Sequence, residues 1–164
     1  MQFLIFFFSS YLFAQTPTPL PTQTPFVKPV PAKGSNVTDW DVLSGLDLKT
    51  HGTSESLKKI LDSKVKLLGF MVPLDYDNKS IKEFLLIPTP LSCTHVPPPA
   101  QNQMVLVKIP KGKKAAYSWG PVYTTGKLFI PKTKPGVDAP GFEMVGDSVE
   151  FYKAEDGSVK VHNN

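Results

Sequence analysis

Between residues 64 and 152 the chain contains short runs in which apolar and polar side chains alternate. Such alternation is typical of β-strands with one buried face. Gly69 interrupts the first run and predicts a bulge or bend there. The predicted strands cover residues 64–72, 83–87, 103–109, 122–130 and 142–145, with residues 149–152 extending the last strand or forming a sixth. This spacing predicts a mainly β fold, a small barrel or sandwich.

One short helix is predicted ahead of the strands. Ser54 can cap its N-terminus, and Leu57, Ile60 and Leu61 follow at helical spacing, so that they would face the core. We expect the helix to end near Asp62.

The chain before the helix divides by composition. Residues 15–38 repeat Thr-Pro and Pro-x-Pro and predict an extended, Pro/Thr-rich linker, which leaves a domain at residues 39–155 and a tail at 156–164. Residues 1–14 are apolar and aromatic and end in Ala14, as in a secretory signal peptide, although no basic residue precedes the run. We therefore expect export to the periplasm or cell envelope. No Cys follows the leader to carry a lipid anchor.

Charge narrows the classes of partner. The formal net charge is +4, and all 18 basic residues are Lys. Without Arg the chain lacks the bidentate side chain that makes the commonest specific base contacts. A cluster of four lysines near Tyr117 and Trp119 is typical of a solvated turn; its members are Lys108, Lys111, Lys113 and Lys114. No nucleic-acid partner is expected.

The segment with the clearest chemical potential surrounds Cys93, the only cysteine. His95 lies two residues away, so in an extended segment both side chains would point to one face. A thiolate and an imidazole together suit copper or zinc. The alternatives are an inert buried thiol, a disulfide to another molecule, and a nucleophile activated by His95 and oriented by Asn102.

Neighbouring residues add to this segment. Pro97, Pro98 and Pro99 stiffen the backbone after the two candidate metal ligands. Gln101, Asn102 and Gln103 then offer neutral polar groups as ligand contacts or as supports for the metal ligands. Zinc usually takes at least three protein ligands, and further candidates are few: His51, His162, Met71, Met104, Asp75 and Glu83.

Four stretches of the sequence resemble a bacterial family known as domain of unknown function 3299. They are GFMVPLD at 69–75, EFLLIP at 83–88, CTHVPPPAQNQMV at 93–105 and WGPVYTTGKLF at 119–129. The resemblance implies a small five-stranded OB-like barrel and an envelope location, and it supplies no reaction. Some members accompany transporter components. Ala100 departs from the family pattern, in which a fourth proline is common.

These observations lead to one main functional hypothesis and one alternative. The first is an exported envelope binding module that takes a metal ion or small ligand at Cys93 and His95. The alternative is a structural adaptor that docks a transporter or another membrane-associated protein through the same loop. No complete catalytic set is predicted, so an enzyme is the less favoured class.

The leader gives a direct prediction. Protein recovered from the envelope of producing cells is expected to begin at Gln15, because the apolar run ends at Ala14. Intact-mass measurement checks this. An Ala14→Asp variant should retain residues 1–14, and an uncleaved native chain in the envelope would contradict the assignment.

Overall fold

In the computed structural model, the described residues are 36–75, 80–90, 99–131 and 139–153. They form a closed barrel of five strands in the order β1-β2-β3-β5-β4. The strands are β1 (Lys64–Pro73), β2 (Glu83–Ile87), β3 (Val105–Lys108), β4 (Val122–Phe129) and β5 (Phe142–Phe151). All neighbours pair antiparallel except β3 and β5, which are parallel. The predicted small OB-like barrel is confirmed.

The strands differ from the predicted ones in three respects. The third strand begins at Val105, because Gln101–Gln103 form a 3-10 turn. The fifth strand is continuous and needs no sixth. The irregularity predicted at Gly69 lies elsewhere, since the pairing register shifts between Thr125 and Gly126.

Strand β1 is shared between two neighbours. Its first half, from Lys64 to Gly69, pairs with β4, whereas Phe70 to Pro73 pair with β2. Gly69 stands at the change of partner, and a Cβ there would lie 2.6 Å from the Ile87 carbonyl oxygen. Gly69 is therefore required by a close backbone approach and does not mark a bulge.

Two short α-helices precede the barrel, where the sequence predicted one. They are α1 (Trp40–Leu43) and α2 (Glu55–Ile60). The predicted cap of α2 is confirmed, because Ser54 Oγ accepts from the Leu57 amide at 3.3 Å. Helix α1 has no recognisable periodicity in the sequence, because it spans a single turn and depends on tertiary contacts.

The segment around α1 covers part of the edge of β1. The amide of Thr38 donates to the Lys66 carbonyl at 2.7 Å, and the indole Nε1 of Trp40 donates to the Leu68 carbonyl at 2.7 Å. Both carbonyls belong to the half of β1 that β2 does not pair with. These bonds satisfy backbone groups that an open strand edge would leave without protein partners.

The barrel interior is packed with apolar side chains. Along β4 the inward residues are buried and the intervening residues are more exposed. Trp40, Leu43 and Leu57 join the same buried cluster from the two helices, so the helices close one part of the barrel. In the described part of the chain, no helix is long and apolar enough to cross a membrane.

A substitution tests the close passage at Gly69. Gly69→Ala is expected to reduce the free energy of unfolding by about 1–3 kcal/mol, because the methyl group would meet the backbone of β2. Urea unfolding measures the change. Gly52→Ala is the matched control: its Cβ would meet only the Thr50 side chain, at 3.2 Å, and a change within about 0.5 kcal/mol is expected. Equal effects at the two sites would contradict the role of Gly69.

Candidate functional site

The segment singled out by the sequence is the connection between β2 and β3. Its ends lie side by side, because Leu86 pairs with Val105. The connection runs from residue 88 to 104, whereas antiparallel neighbours are commonly joined by about 2–5 residues. Loops of this length are uncommon in a compact domain and are usually either functional or linker segments.

The base of this connection rests on a small buried cluster outside the main core. Phe70, Ile87 and Met104 form it, with Val72 packed against them. Ile87 ends β2, and Met104 precedes β3. The loop therefore leaves and re-enters the barrel over an apolar base.

The returning arm of the loop is folded into the 3-10 turn at Gln101–Gln103. The Gln103 amide donates to the Ala100 carbonyl at 2.7 Å, and the Met104 amide donates to the Gln101 carbonyl at 3.2 Å. The amide of Gly141, next to the start of β5, donates to the same Gln101 carbonyl at 2.8 Å. The turn is thus tied to the neighbouring strand as well as to itself.

Side-chain amides bind the turn to α1. Asn102 Nδ2 donates to the Leu46 carbonyl at 3.1 Å. Gln103 Nε2 donates to Ser44 Oγ at 2.8 Å and to the Trp40 carbonyl at 3.3 Å. We call this set of bonds, made by Asn102 and Gln103 to residues 40–46, the amide clamp.

The amide clamp fixes the loop on both ends of the α1 segment. The Trp40 carbonyl already accepts from the Ser44 amide at 3.1 Å, so Gln103 Nε2 adds a second donor to it. Leu46 lies beyond the end of α1, and its carbonyl accepts from the Asn102 side chain. The clamp therefore holds the returning arm of the loop against residues 40–46.

Gly141 permits the hydrogen bond that joins the turn to the start of β5. A Cβ at this position would lie 2.7 Å from the Gln101 carbonyl oxygen and 3.1 Å from Leu46 Cδ2. Any larger residue would push the turn away from β5 and from the α1 segment. The base of the loop thus joins three parts of the chain that are distant in sequence.

The predicted site residues divide into two groups. Cys93 and His95 lie outside the described residues, as do residues 1–35, Tyr76 to Lys79, His162 and the tail. Gln101, Asn102 and Gln103 are described and half-buried. The side chains of Asn102 and Gln103 form hydrogen bonds to residues 40–46. Ligand binding by Gln101, Asn102 and Gln103 stays a prediction.

The additional metal candidates do not converge in the described part of the chain. Met71 is packed in the main core and Met104 in the smaller cluster. His51 lies on an exposed loop, and Asp75 Oδ2 accepts from the Lys82 amide at 2.9 Å. Among the described residues, no three of His, Cys, Asp and Glu are grouped to hold a metal ion.

Sequence reasoning missed Trp40 and Gly141 as supports of the loop. The Trp40 indole binds β1, and the Trp40 carbonyl accepts from the clamp. No local sequence pattern points to these contacts, because the partners lie 28 and 63 residues away in the chain.

An isosteric substitution tests the amide clamp. Asn102→Asp replaces the NH₂ donor by an acceptor facing the Leu46 carbonyl, so we expect a loss of about 1–3 kcal/mol in the free energy of unfolding. Chemical denaturation measures it. Asn36→Asp makes the same change at an exposed position and should stay within about 0.5 kcal/mol of the native protein. An unaffected Asn102→Asp protein would show that the clamp does not stabilise the fold.

Comparison with known proteins supplies the family. The family described as protein of unknown function (DUF3299) matches residues 16–151, most of the 164-residue chain. A crystal structure of a DUF3299 family protein from Pseudomonas aeruginosa PAO1 is similar, with 26% sequence identity and a TM-score of 0.52. The match covers 77% of this chain and 92% of that one. No curated protein matches the chain. The chain belongs to the DUF3299 family.

Proposed function

We propose that this protein is an exported binding module of the cell envelope, which presents Cys93 and His95 to a metal ion or small ligand. The amide clamp carries the proposal. Together with the bond from the Gly141 amide to the Gln101 carbonyl, it anchors the returning arm of the loop, which begins six residues beyond His95. The base of the loop is therefore fixed to two separate parts of the domain, residues 40–46 and the start of β5.

Anchorage matters because ordering a long loop around a ligand costs conformational entropy. Fixing a backbone residue costs roughly 1–2 kcal/mol, and a ligand must supply that free energy if the loop is not already ordered. The clamp orders residues 101–104, and Pro97 to Pro99 restrict the backbone between the clamp and His95. The segment left for a ligand to order is correspondingly short.

The donor set defines the class of ion. Cys93 as thiolate and His95 as neutral imidazole form a soft pair that suits copper or zinc. Both side chains would hold the ion, and each must lose its proton to do so. Among the described residues no three of His, Cys, Asp and Glu are grouped to hold a metal ion, so the proposed site depends on Cys93 and His95.

The surface charges of the barrel give no support for a nucleic-acid function. Lys108 Nζ lies 3.1 Å from Glu143 Oε2, and Lys113 Nζ lies 3.2 Å from Asp147 Oδ1. Two of the four lysines in the predicted basic cluster are therefore paired with carboxylates, which reduces the positive potential that a phosphate backbone would require.

Metal analysis tests the proposal. The native protein and a His51→Ala control are expected to carry about one equivalent of copper or zinc, because His51 is an exposed histidine on another loop. Cys93→Ser and His95→Ala should each lose the metal, and thiol titration should show Cys93 protected by metal and reactive after chelation.

The opposite results are equally informative. A metal-free native protein whose thiol reacts only after unfolding would make Cys93 a buried core residue and end the metal proposal. A metal-free protein with a freely reactive thiol would favour the adaptor function, in which the loop docks an envelope transporter or another membrane-associated protein. Capture of that partner should then fail in the His95→Ala variant but not in His51→Ala.

A further inference from the structure

A patch of aromatic side chains lies where β4 begins and β5 ends. We call Tyr117, Trp119, Tyr123 and Tyr152 the aromatic patch. Trp119 is 79% exposed and presents a large apolar surface to solvent, while the other three rings are half-buried. Exposed apolar groups that cluster in this way usually mark an interaction surface.

The patch is built from two ring pairs. Tyr117 and Trp119 contact edge to face with centroids 5.0 Å apart, and Tyr123 and Tyr152 lie 5.7 Å apart at a tilt. The Tyr152 amide donates to the Pro121 carbonyl at 3.1 Å, which joins the two pairs through the chain between them. Burial raises the pKa of Tyr117, so its phenol stays protonated and neutral at pH 7.

A polar rim borders the second pair. Lys66 Nζ lies 4.6 Å from the centre of the Tyr123 ring and 2.9 Å from Glu150 Oε2. The rim therefore offers both a cation and an anion beside apolar rings. Aromatic surfaces with polar edges are the kind that receive polyproline segments, since proline rings pack on aromatic faces while the backbone carbonyls stay accessible to donors.

The Pro/Thr-rich segment enters the domain beside this rim. The Thr38 amide donates to the carbonyl of Lys66, the residue whose side chain lies over Tyr123. Lys66 pairs with Thr125 of β4, so β1 lies between Thr38 and the strand that carries Tyr123. Two strand spacings amount to about 10 Å, whereas the seven residues from Pro31 to Thr38 can span about 20 Å. The prolines can therefore reach the patch easily.

The family match includes the same segment. It begins at residue 16, close to the start of the Pro/Thr-rich stretch. Residues 25–31, with sequence PFVKPVP, contain three prolines, one aromatic side chain and Lys28. This stretch combines apolar rings with a positive charge that can pair with Glu150.

We propose that residues 25–31 of this same chain dock on the aromatic patch, so that the Pro/Thr-rich segment packs on the barrel and is not a free spacer. This goes beyond the proposed metal-binding function. Because the segment is tethered at Thr38, docking is intramolecular and the high effective concentration supports even weak contacts. Proline-rich chain also loses little conformational entropy when it binds.

Paramagnetic relaxation enhancement measured by NMR tests the docking. In a Cys93→Ser background the chain has no other thiol, so Thr24→Cys takes a single nitroxide label. The expected result is loss of the Trp119 indole signal and of the Tyr123 and Tyr152 amide signals, with recovery after reduction of the nitroxide. A variant with Pro25, Pro29 and Pro31 all replaced by Gly keeps the tether length and should restore most of the lost intensity.

Further variants and a mixing experiment distinguish what lies on the aromatic patch. Trp119→Ala, at an exposed position, should restore the Tyr152 signal while leaving the rest of the spectrum unchanged. Equal signal loss in the native and Pro→Gly chains would show a tether without docking and overturn the proposal. Signal loss in a mixture of labelled and isotope-enriched chains, but not within one chain, would assign the patch to a second copy and also overturn it.

Discussion

Closure of the barrel depends on the way in which β1 divides its hydrogen bonds between two neighbours. Its first half completes the sheet with β4, and its second half pairs with β2. A strand that changes partner must pass close to the new one, and Gly69 makes this passage possible at the Ile87 carbonyl. The change of partner also leaves part of the β1 edge without β2, and the Thr38 and Trp40 bonds cover it. The position of α1 follows from that requirement.

The same arrangement locates the candidate site. Once the Trp40 indole is fixed on β1, the carbonyls of Trp40 and Leu46 face the returning arm of the β2–β3 connection. Asn102 and Gln103 donate to these carbonyls, and Gly141 lets the turn approach β5. The loop that carries Cys93 and His95 is therefore held by contacts that begin at the barrel edge. A neutral amide network suits this role because it makes directional bonds without burying charge.

The sequence predicted the features that local chemistry controls. Alternation at Val65 and Leu67 located β1, and the Ser54 cap located α2, because both signals act over a few residues. Non-local features were less predictable. The sequence predicted a bulge or bend at Gly69. The structure places a close backbone approach there and the register shift between Thr125 and Gly126, and a Cβ at Gly126 would also meet a neighbouring backbone oxygen. The Asn102 and Gln103 amides were recognised as polar groups near a site, but their partners lie 56 and 63 residues earlier in the chain.

The long sequence separation of the clamp contacts has a consequence for the order of folding. Asn102 must reach Leu46, which lies 56 residues earlier in the chain. Gln101 must reach Gly141, the residue just before β5. Contacts between distant residues form late, since the chain must first close large loops. The base of the Cys-His loop is therefore completed only after nearly the whole domain has been synthesised and folded. A partly synthesised chain therefore carries Cys93 and His95 before the contacts that hold the returning arm of their loop can form.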